Sequence, residues 1–238
     1  MIYVENLQRS FGTREVIRNL SFQAYPGEVL GFLGPNGAGK TTTLRILATI
    51  LKPHGGRATV NGFDVVQEPA EVRRCLGVLP EANGLYPRLT GEENVLYFAR
   101  LCGLPPSIAR ARMNQLFQVL DVDFGKRLAS EFSRGMIQKV SLVRALISDP
   151  PVVLLDEPTA GLDVPSTLAV REFLKYLKEQ GKTVVLSTHL MNEAELVADR
   201  VVIIHQGEKV EEGKIADIFS RHQTTNLEQA FLKVIKVV

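Results

Sequence analysis

The chain has 238 residues, 45% of them hydrophobic and 23% charged, the balance of a globular protein able to bury a large core in one domain or in a domain with an insertion. Its formal net charge is +2 and its basic residues are scattered, which implies neither a nucleic-acid face nor a polybasic membrane patch. No apolar run reaches the ~18 residues that span a bilayer and no signal peptide opens the chain, so the protein is expected in the cytosol, reaching a membrane through a partner. Two cysteines, Cys75 and Cys102, form neither a disulfide framework nor a metal spacing; both are expected reduced and buried. The four histidines are dispersed and suggest no metal cluster.

The first residues read as strands: Ile2-Tyr3-Val4, then Glu15 to Phe22, then Glu28 to Leu33 after a Pro26-Gly27 turn. The apolar run Val29 to Leu33 leads straight into Gly34-Pro35-Asn36-Gly37-Ala38-Gly39-Lys40-Thr41, and Thr42 to Ala48 opens a helix. Strand, glycine-rich loop and helix with the spacing G-x-x-x-x-G-K-T predict a phosphate-binding P-loop. Asn36, Gly37, Ala38 and Gly39 let consecutive backbone N–H groups turn inward, and the helix N-terminus around Thr41 and Thr42 adds its positive end. Lys40 supplies a full charge for the outer phosphates, and the Thr41 hydroxyl can ligate Mg²⁺.

Short strands follow at Arg57–Val60, ended by an Asn61-Gly62 hairpin turn, and at Leu76–Leu79. From Leu89 to Pro150 strand signals nearly vanish. Thr90-Gly91-Glu92-Glu93 is a capping box ahead of Val95, Leu96, Phe98, Ala99 and Leu101. Pro105-Pro106 breaks that helix, Leu116 to Leu120 lie on a second, and Ser133 to Ser148 form a third. Residues 85–148 therefore read as a helical insertion in an α/β domain. Strands return at Val152–Leu155, Thr183–Ser187 and Val201–Ile204, with helices over 164–180 and 191–198 between them and two more near 214–221 and 226–235. Strands alternating with helices argue for a mainly parallel sheet.

Val152-Val153-Leu154-Leu155-Asp156-Glu157 has the form of a Walker B strand, ending where open α/β sheets place their ligands. Asp156 can hold Mg²⁺, directly or through water, and Glu157 can act as general base on an attacking water. His189 falls at the same sheet edge; it is either a γ-phosphate contact or a surface histidine in a strand-to-helix turn. Ser133 is a good N-cap, and Gly135 keeps the first turn of its helix open; this is either a second phosphate site or an ordinary cap.

Taken together these residues resemble the ATP-binding subunit of ABC transporters, from Phe11 to about Phe231. The P-loop matches the family's loop. Phe132-Ser133-Arg134-Gly135-Met136 stands where the family has Leu-Ser-Gly-Gly-Gln, Asp156-Glu157 matches Walker B, Ala160-Gly161-Leu162-Asp163 the D-loop, and Ser187-Thr188-His189 the switch histidine. The resemblance implies that Phe11 stacks on adenine with Val16 packed beside it, and that Ser133 and Gly135 face a γ-phosphate. It departs at Arg134 and Met136. It departs also at Glu81, where the family usually has the Q-loop glutamine; Glu81 can offer an oxygen to Mg²⁺ while adding negative charge near the phosphates. The segment Gly84–Thr90 and the tail Asn226–Phe231 look most like the exporter ATPases with a separate permease, of sodium-extruding or drug-resistance type.

The fold implied is an ABC ATPase: a P-loop core over 1–84 and 149–238 with an N-terminal antiparallel β region, and a helical signature subdomain over 85–148. The activity implied is ATP hydrolysis with ATP and Mg²⁺. Two subunits, identical or homologous, would pair head to tail, so that ATP at Lys40 of one is completed by Ser133 of the other. A separate permease on the cytoplasmic face of the membrane would take up the motion. The competing reading is a soluble ABC-type ATPase acting on nucleic acid or ribosomes; the coiled coil, zinc insertion or second ATPase unit that such proteins carry is not visible in the sequence.

Overall fold

The computed structural model describes residues 1–82 and 84–235. The last residues assigned to the core, 236–238, lie outside them. Two sheets organise the chain. Strands β1 (Ile2–Phe11), β2 (Arg14–Ala24), β4 (Gly55–Val60) and β5 (Phe63–Asp64) make an antiparallel sheet in the order β2-β1-β4-β5. The second sheet runs β10-β9-β3-β8-β7-β6, from β3 (Val29–Leu33), β6 (Leu76–Leu79), β7 (Val152–Asp156), β8 (Thr183–Thr188), β9 (Arg200–His205) and β10 (Glu208–Lys214). Its strands pair in parallel except for β10 on β9.

The sequence explains this arrangement. Every residue of β3, β7 and β8 is buried, as expected of parallel strands covered on both faces. With side chains alternating along a strand, each of these splits its residues between two cores. Val152 and Leu154 join Leu44, Ile46 and Leu47 of helix α1 (Lys40–Leu47) and the antiparallel sheet. Val153 and Leu155 face the other way, into a cluster with Val95, Met113, Val143 and Phe173. These last come from α3 (Gly91–Leu101), α4 (Pro106–Val119), α5 (Arg134–Leu146) and α6 (Val164–Glu179). A third cluster packs α7 (Met191–Val197), α8 (Ile215–His222) and α9 (Leu227–Ile235) on Leu33, Val201 and Ile203.

Three points differ from the sequence reading. Strand β1 runs well past Val4 because Asn6 takes φ 48° and shifts the register, breaking the alternation that would have marked its second half. A helix, α2 (Pro69–Arg74), stands where none was expected; at six residues with Val72 alone buried it carries no periodic signal. Cys75 is buried as expected, but Cys102, the C-cap of α3, is exposed: the helix ends there and turns its last residue outward. Among the described residues no helix is long and apolar enough to cross a membrane.

The segment that leads into α3 is held by two devices. In the capping box the Glu93 N–H donates to Thr90 Oγ1 at 3.1 Å and the Thr90 N–H to Glu93 Oε2 at 2.8 Å. Deeper, Asn94, 1% exposed, accepts from the Tyr86 N–H at 2.7 Å and donates to the Thr90 carbonyl at 2.8 Å. Removing a cap costs about 1 kcal/mol, whereas orphaning buried backbone groups costs up to about 3 kcal/mol. Thermal melts should therefore rank Asn94→Ala clearly below Thr90→Ala, the latter lower than wild type by about 2–4 °C. Equal shifts would contradict this account of the segment.

Candidate active site

Parallel pairing brings the C-terminal ends of four strands to one edge. Leu33 is opposite Thr188, Asp156 opposite Ser187, and Leu79 opposite Leu155. Whatever follows those residues is therefore gathered: the glycine-rich loop after β3, Glu81 after β6, Glu157 after β7 and His189 after β8. Gly39 makes the loop possible. It sits at φ 108°, and a Cβ there would lie 2.8 Å from the Val16 carbonyl oxygen of β2.

A cavity of about 420 Å³ opens at this edge, lined by Val16, Asn36, Gly37, Gly39, Lys40, Thr41, Thr42, Glu81, Glu157 and His189, with Arg14 and Ala160 completing the wall. A neighbouring groove of about 350 Å³ shares Thr41 and Glu81 and adds Asp156. Asp156 and Glu157 thus open on different sides, as consecutive residues leaving a strand should.

Lys40 is turned into its own loop. Its Nζ donates to the Gly34 carbonyl at 2.7 Å and the Pro35 carbonyl at 3.3 Å, and lies 3.8 Å from Glu157 Oε1. Burial pushes the Lys40 ammonium below its ordinary pKa, while Glu157, Asp156 and Glu81 pull it back up. Glu157 is held on every side. Its backbone takes φ 51°, its N–H donates to the Ser187 carbonyl at 2.9 Å, and Thr188 Oγ1 donates to Oε2 at 3.0 Å. Oε1 accepts from the His189 N–H at 3.0 Å and meets His189 Nδ1 at 2.8 Å. With Glu157 ionised, Nδ1 carries the hydrogen of that contact. Ser187 Oγ donates to Asp156 Oδ1 at 2.8 Å, fixing the second acid.

Other residues singled out in the sequence lie elsewhere. Ser133 caps α5, accepting from the Met136 N–H at 3.3 Å, and neither it nor Gly135 lines the cavity or the groove. A Cβ at Gly135 would meet Ser166 Oγ at 2.1 Å and Ser166 Cβ at 3.0 Å, so any side chain here forces Ser166 of α6 to shift. The Arg134 guanidinium lies over Gly161. Phe11, 47% exposed, sits at the tip of the β1–β2 hairpin with the Arg9 guanidinium 4.7 Å from its ring centre, outside the cavity lining. Ala160 and Arg14 line the cavity but were not anticipated. Ala160 was read as part of the D-loop but not as a wall of this cavity, and Arg14 carries no motif; its position across the hairpin from Phe11 was the signal available.

A family model described as ABC transporter matches residues 17–160, more than half of the chain. The chain belongs to the ABC transporter family. The ABC transporter ATP-binding protein NatA of Bacillus subtilis (strain 168) is 41% identical over 238 residues, covering 98% of this chain and 97% of that protein. The Nod factor export ATP-binding protein I of Paraburkholderia xenovorans (strain LB400) is 39% identical over 213 residues, covering 89% of this chain and 70% of the other. Among solved structures, a dimeric ATP-binding cassette in a post-hydrolysis state bound to ADP and Pi superposes with a TM-score of 0.79 at 28% identity, over 90% of this chain and 98% of that one. The fold is that of an ABC ATPase, with its mainly parallel sheet and antiparallel N-terminal sheet, and the chain is an ATP-binding ATPase of this family.

The Gly135 contact yields a prediction. Replacing a helical glycine by alanine ordinarily stabilises by about 0.5–1 kcal/mol. Here the added methyl overlaps Ser166, and overpacking costs about 1–3 kcal/mol. Gly135→Ala should therefore melt below wild type. A melting temperature at or above wild type would mean that α5 and α6 do not pack as observed.

Proposed function

We propose that this ABC ATPase is the cytoplasmic, ATP-hydrolysing subunit of an exporter whose membrane-spanning part is a separate permease. The observation that carries the reading is the convergence of Lys40, Thr41, Glu81, Glu157 and His189 on one cavity at the sheet edge. In this reading the phosphates of ATP take Lys40 from the Gly34 and Pro35 carbonyls and from Glu157, and the loop N–H groups of Asn36 to Thr42 receive the phosphate oxygens. Phe11 stacks on the adenine and Val16 packs beside it.

Thr41, Asp156 and Glu81 are the oxygens that would hold Mg²⁺. Among the described residues no group of three His, Cys, Asp or Glu side chains could hold a metal alone. Mg²⁺ ordinarily takes one or two carboxylates and completes its shell with phosphate, hydroxyl and water oxygens. Mg²⁺ supplies charge neutralisation at the phosphate oxygens when bound. Glu157, freed of Lys40, is the base that takes the proton of the attacking water, and His189 orients it against the γ-phosphate.

Ser133 and Gly135 are exposed or half-buried and stand apart from the cavity of their own chain, which supports a site completed by Ser133 and Gly135 of a second subunit. A structural neighbour, dimeric and bound to ADP and Pi, supports the same pairing. The Nod factor relative, an export ATP-binding protein by name, supports export. The groove beside Glu81 supports docking of the permease: it is walled by Leu44, Ala48, Val78 and Pro80, and Ile50 on its rim is 67% exposed. On this reading residues 85–148 move as a helical unit against a core of 1–84 and 149–238.

Lys40→Ala should abolish turnover and weaken ATP binding by about 10–100-fold, the worth of a charge-assisted contact. A steady-state ATPase assay with a nucleotide titration tests this, and near-normal activity would reject the P-loop assignment.

Glu157→Gln keeps the shape of the side chain but cannot accept the proton. Turnover should drop about 10²–10⁴-fold while ATP binding survives through Lys40 and Thr41. With hydrolysis blocked, the mutant should run as a dimer in ATP and as a monomer without it, read by size exclusion with light scattering. Turnover at the wild-type rate would remove Glu157 as the base; a mutant that binds ATP yet stays monomeric would reject the pairing of two copies.

A further inference from the structure

We propose that Arg14 is a second cationic contact for the bound nucleotide, gripping the phosphate nearest the ribose. This rests on the reading that ATP runs from Phe11 to Lys40. Phe11 and Arg14 face each other in the register of the β1–β2 hairpin, joined by the Gly12-Thr13 turn. Directly opposed residues of an antiparallel pair project from the same face. The aromatic and the cation therefore stand side by side. From there the Arg14 guanidinium reaches the glycine-rich loop: its Nη2 lies 3.6 Å from where a Cβ on Gly37 would be.

Arg14 lines both the 420 Å³ cavity that contains Lys40 and the adjoining 690 Å³ cavity on the outer side of Pro35–Ala38. A ligand with its base at Phe11 and its outer phosphates at Lys40 must pass it.

Charge separates this arginine from an ordinary surface one. The 420 Å³ cavity wall holds two acids, Glu81 and Glu157, and two cations, Lys40 and Arg14. Lys40 is already occupied by two carbonyls and by Glu157. On the same strand Arg18 is paired with Glu15 at 3.7 Å and Glu208 at 3.6 Å. The Arg14 side chain has no ion pair or hydrogen bond among the described residues. A guanidinium offers planar, paired donors that match a phosphate. The additional acid at Glu81 makes such a cation more valuable, because a polyphosphate entering this wall otherwise meets two carboxylates against one lysine.

The position assigned dictates the pattern of a binding experiment. ATP and ADP share the phosphate nearest the ribose and differ at the outer end. Arg14→Gln should weaken Mg-ATP and Mg-ADP by the same factor, about 10-fold for a charged hydrogen bond, with the ATP/ADP ratio of wild type. Arg14→Lys should recover part of the loss. Lys40→Ala should instead cost ATP more than ADP. Titrations at low and high salt should show a shallower salt dependence for Arg14→Gln, one cation having left the site. The side chain is exposed and unpaired, so the variant should melt as wild type. Arg14→Gln binding both nucleotides like wild type, while Lys40→Ala fails, would overturn the Arg14 contact alone. A loss confined to ATP would move the contact to the outer phosphates and overturn the assignment. Wild-type ATP binding by Lys40→Ala would bring down the nucleotide reading and Arg14 with it.

Discussion

The register between β7 and β8 is the constraint on which the site depends. Asp156 is opposite Ser187, and the next residues on both strands leave the sheet together. Ser187 then holds Asp156 through its hydroxyl and the Glu157 N–H through its carbonyl, while Thr188 and His189 take the two oxygens of the Glu157 carboxylate. A slip of one residue would send every side chain of β8 to the other face, separating both acids from their donors. The apolar alternation that loads two different cores from these strands forbids that slip. Glu157 also holds a left-handed backbone, φ 51°, that costs a non-glycine residue of order 1 kcal/mol. Its hydrogen bonds on both backbone and side chain sustain the turn.

The second element is an ion pair that ought to be expensive. The side chains of Lys40 and Glu157 are 6% and 7% exposed and lie 3.8 Å apart. Taking both from water roughly cancels what they gain from each other. Burial pushes the Lys40 ammonium below its ordinary pKa, and Glu157, Asp156 and Glu81 work against that shift. The pair is therefore no large source of stability. Apart from Lys40, Glu157 keeps the contacts from Thr188 and His189.

What could be read in the sequence was whatever is local. The strand–loop–helix around Lys40, the capping box at Thr90, the helix stop at Pro105-Pro106 and the Asn61-Gly62 turn each depend on a few consecutive residues, and each is present. The apolar runs of β7 and β8 revealed strands buried on both faces. Contacts across the chain were not legible. The close contact at Gly135 comes from Ser166 and the clamp on the segment before α3 from Asn94. Cys102 misled because average burial says nothing about a C-cap.

Helix α5 ties these regions together. At its N-terminus Ser133 is the exposed cap, with Arg134 resting on Gly161 and Gly135 against Ser166. One turn on, Gln138 Nε2 donates to the Pro158 carbonyl, just past Glu157, at 2.6 Å. Near its C-terminus Arg144 Nη1 donates to the Gly84 carbonyl, three residues past Glu81, at 2.7 Å. Thirteen residues of α-helix are a rod of about 20 Å. Both acid-bearing loops are thus fastened to one helix that carries the exposed Ser133 at its N-terminus. The same geometry explains why a cationic residue is tolerated beside Ser133: Arg134 lies on a loop where a glycine leaves its guanidinium room.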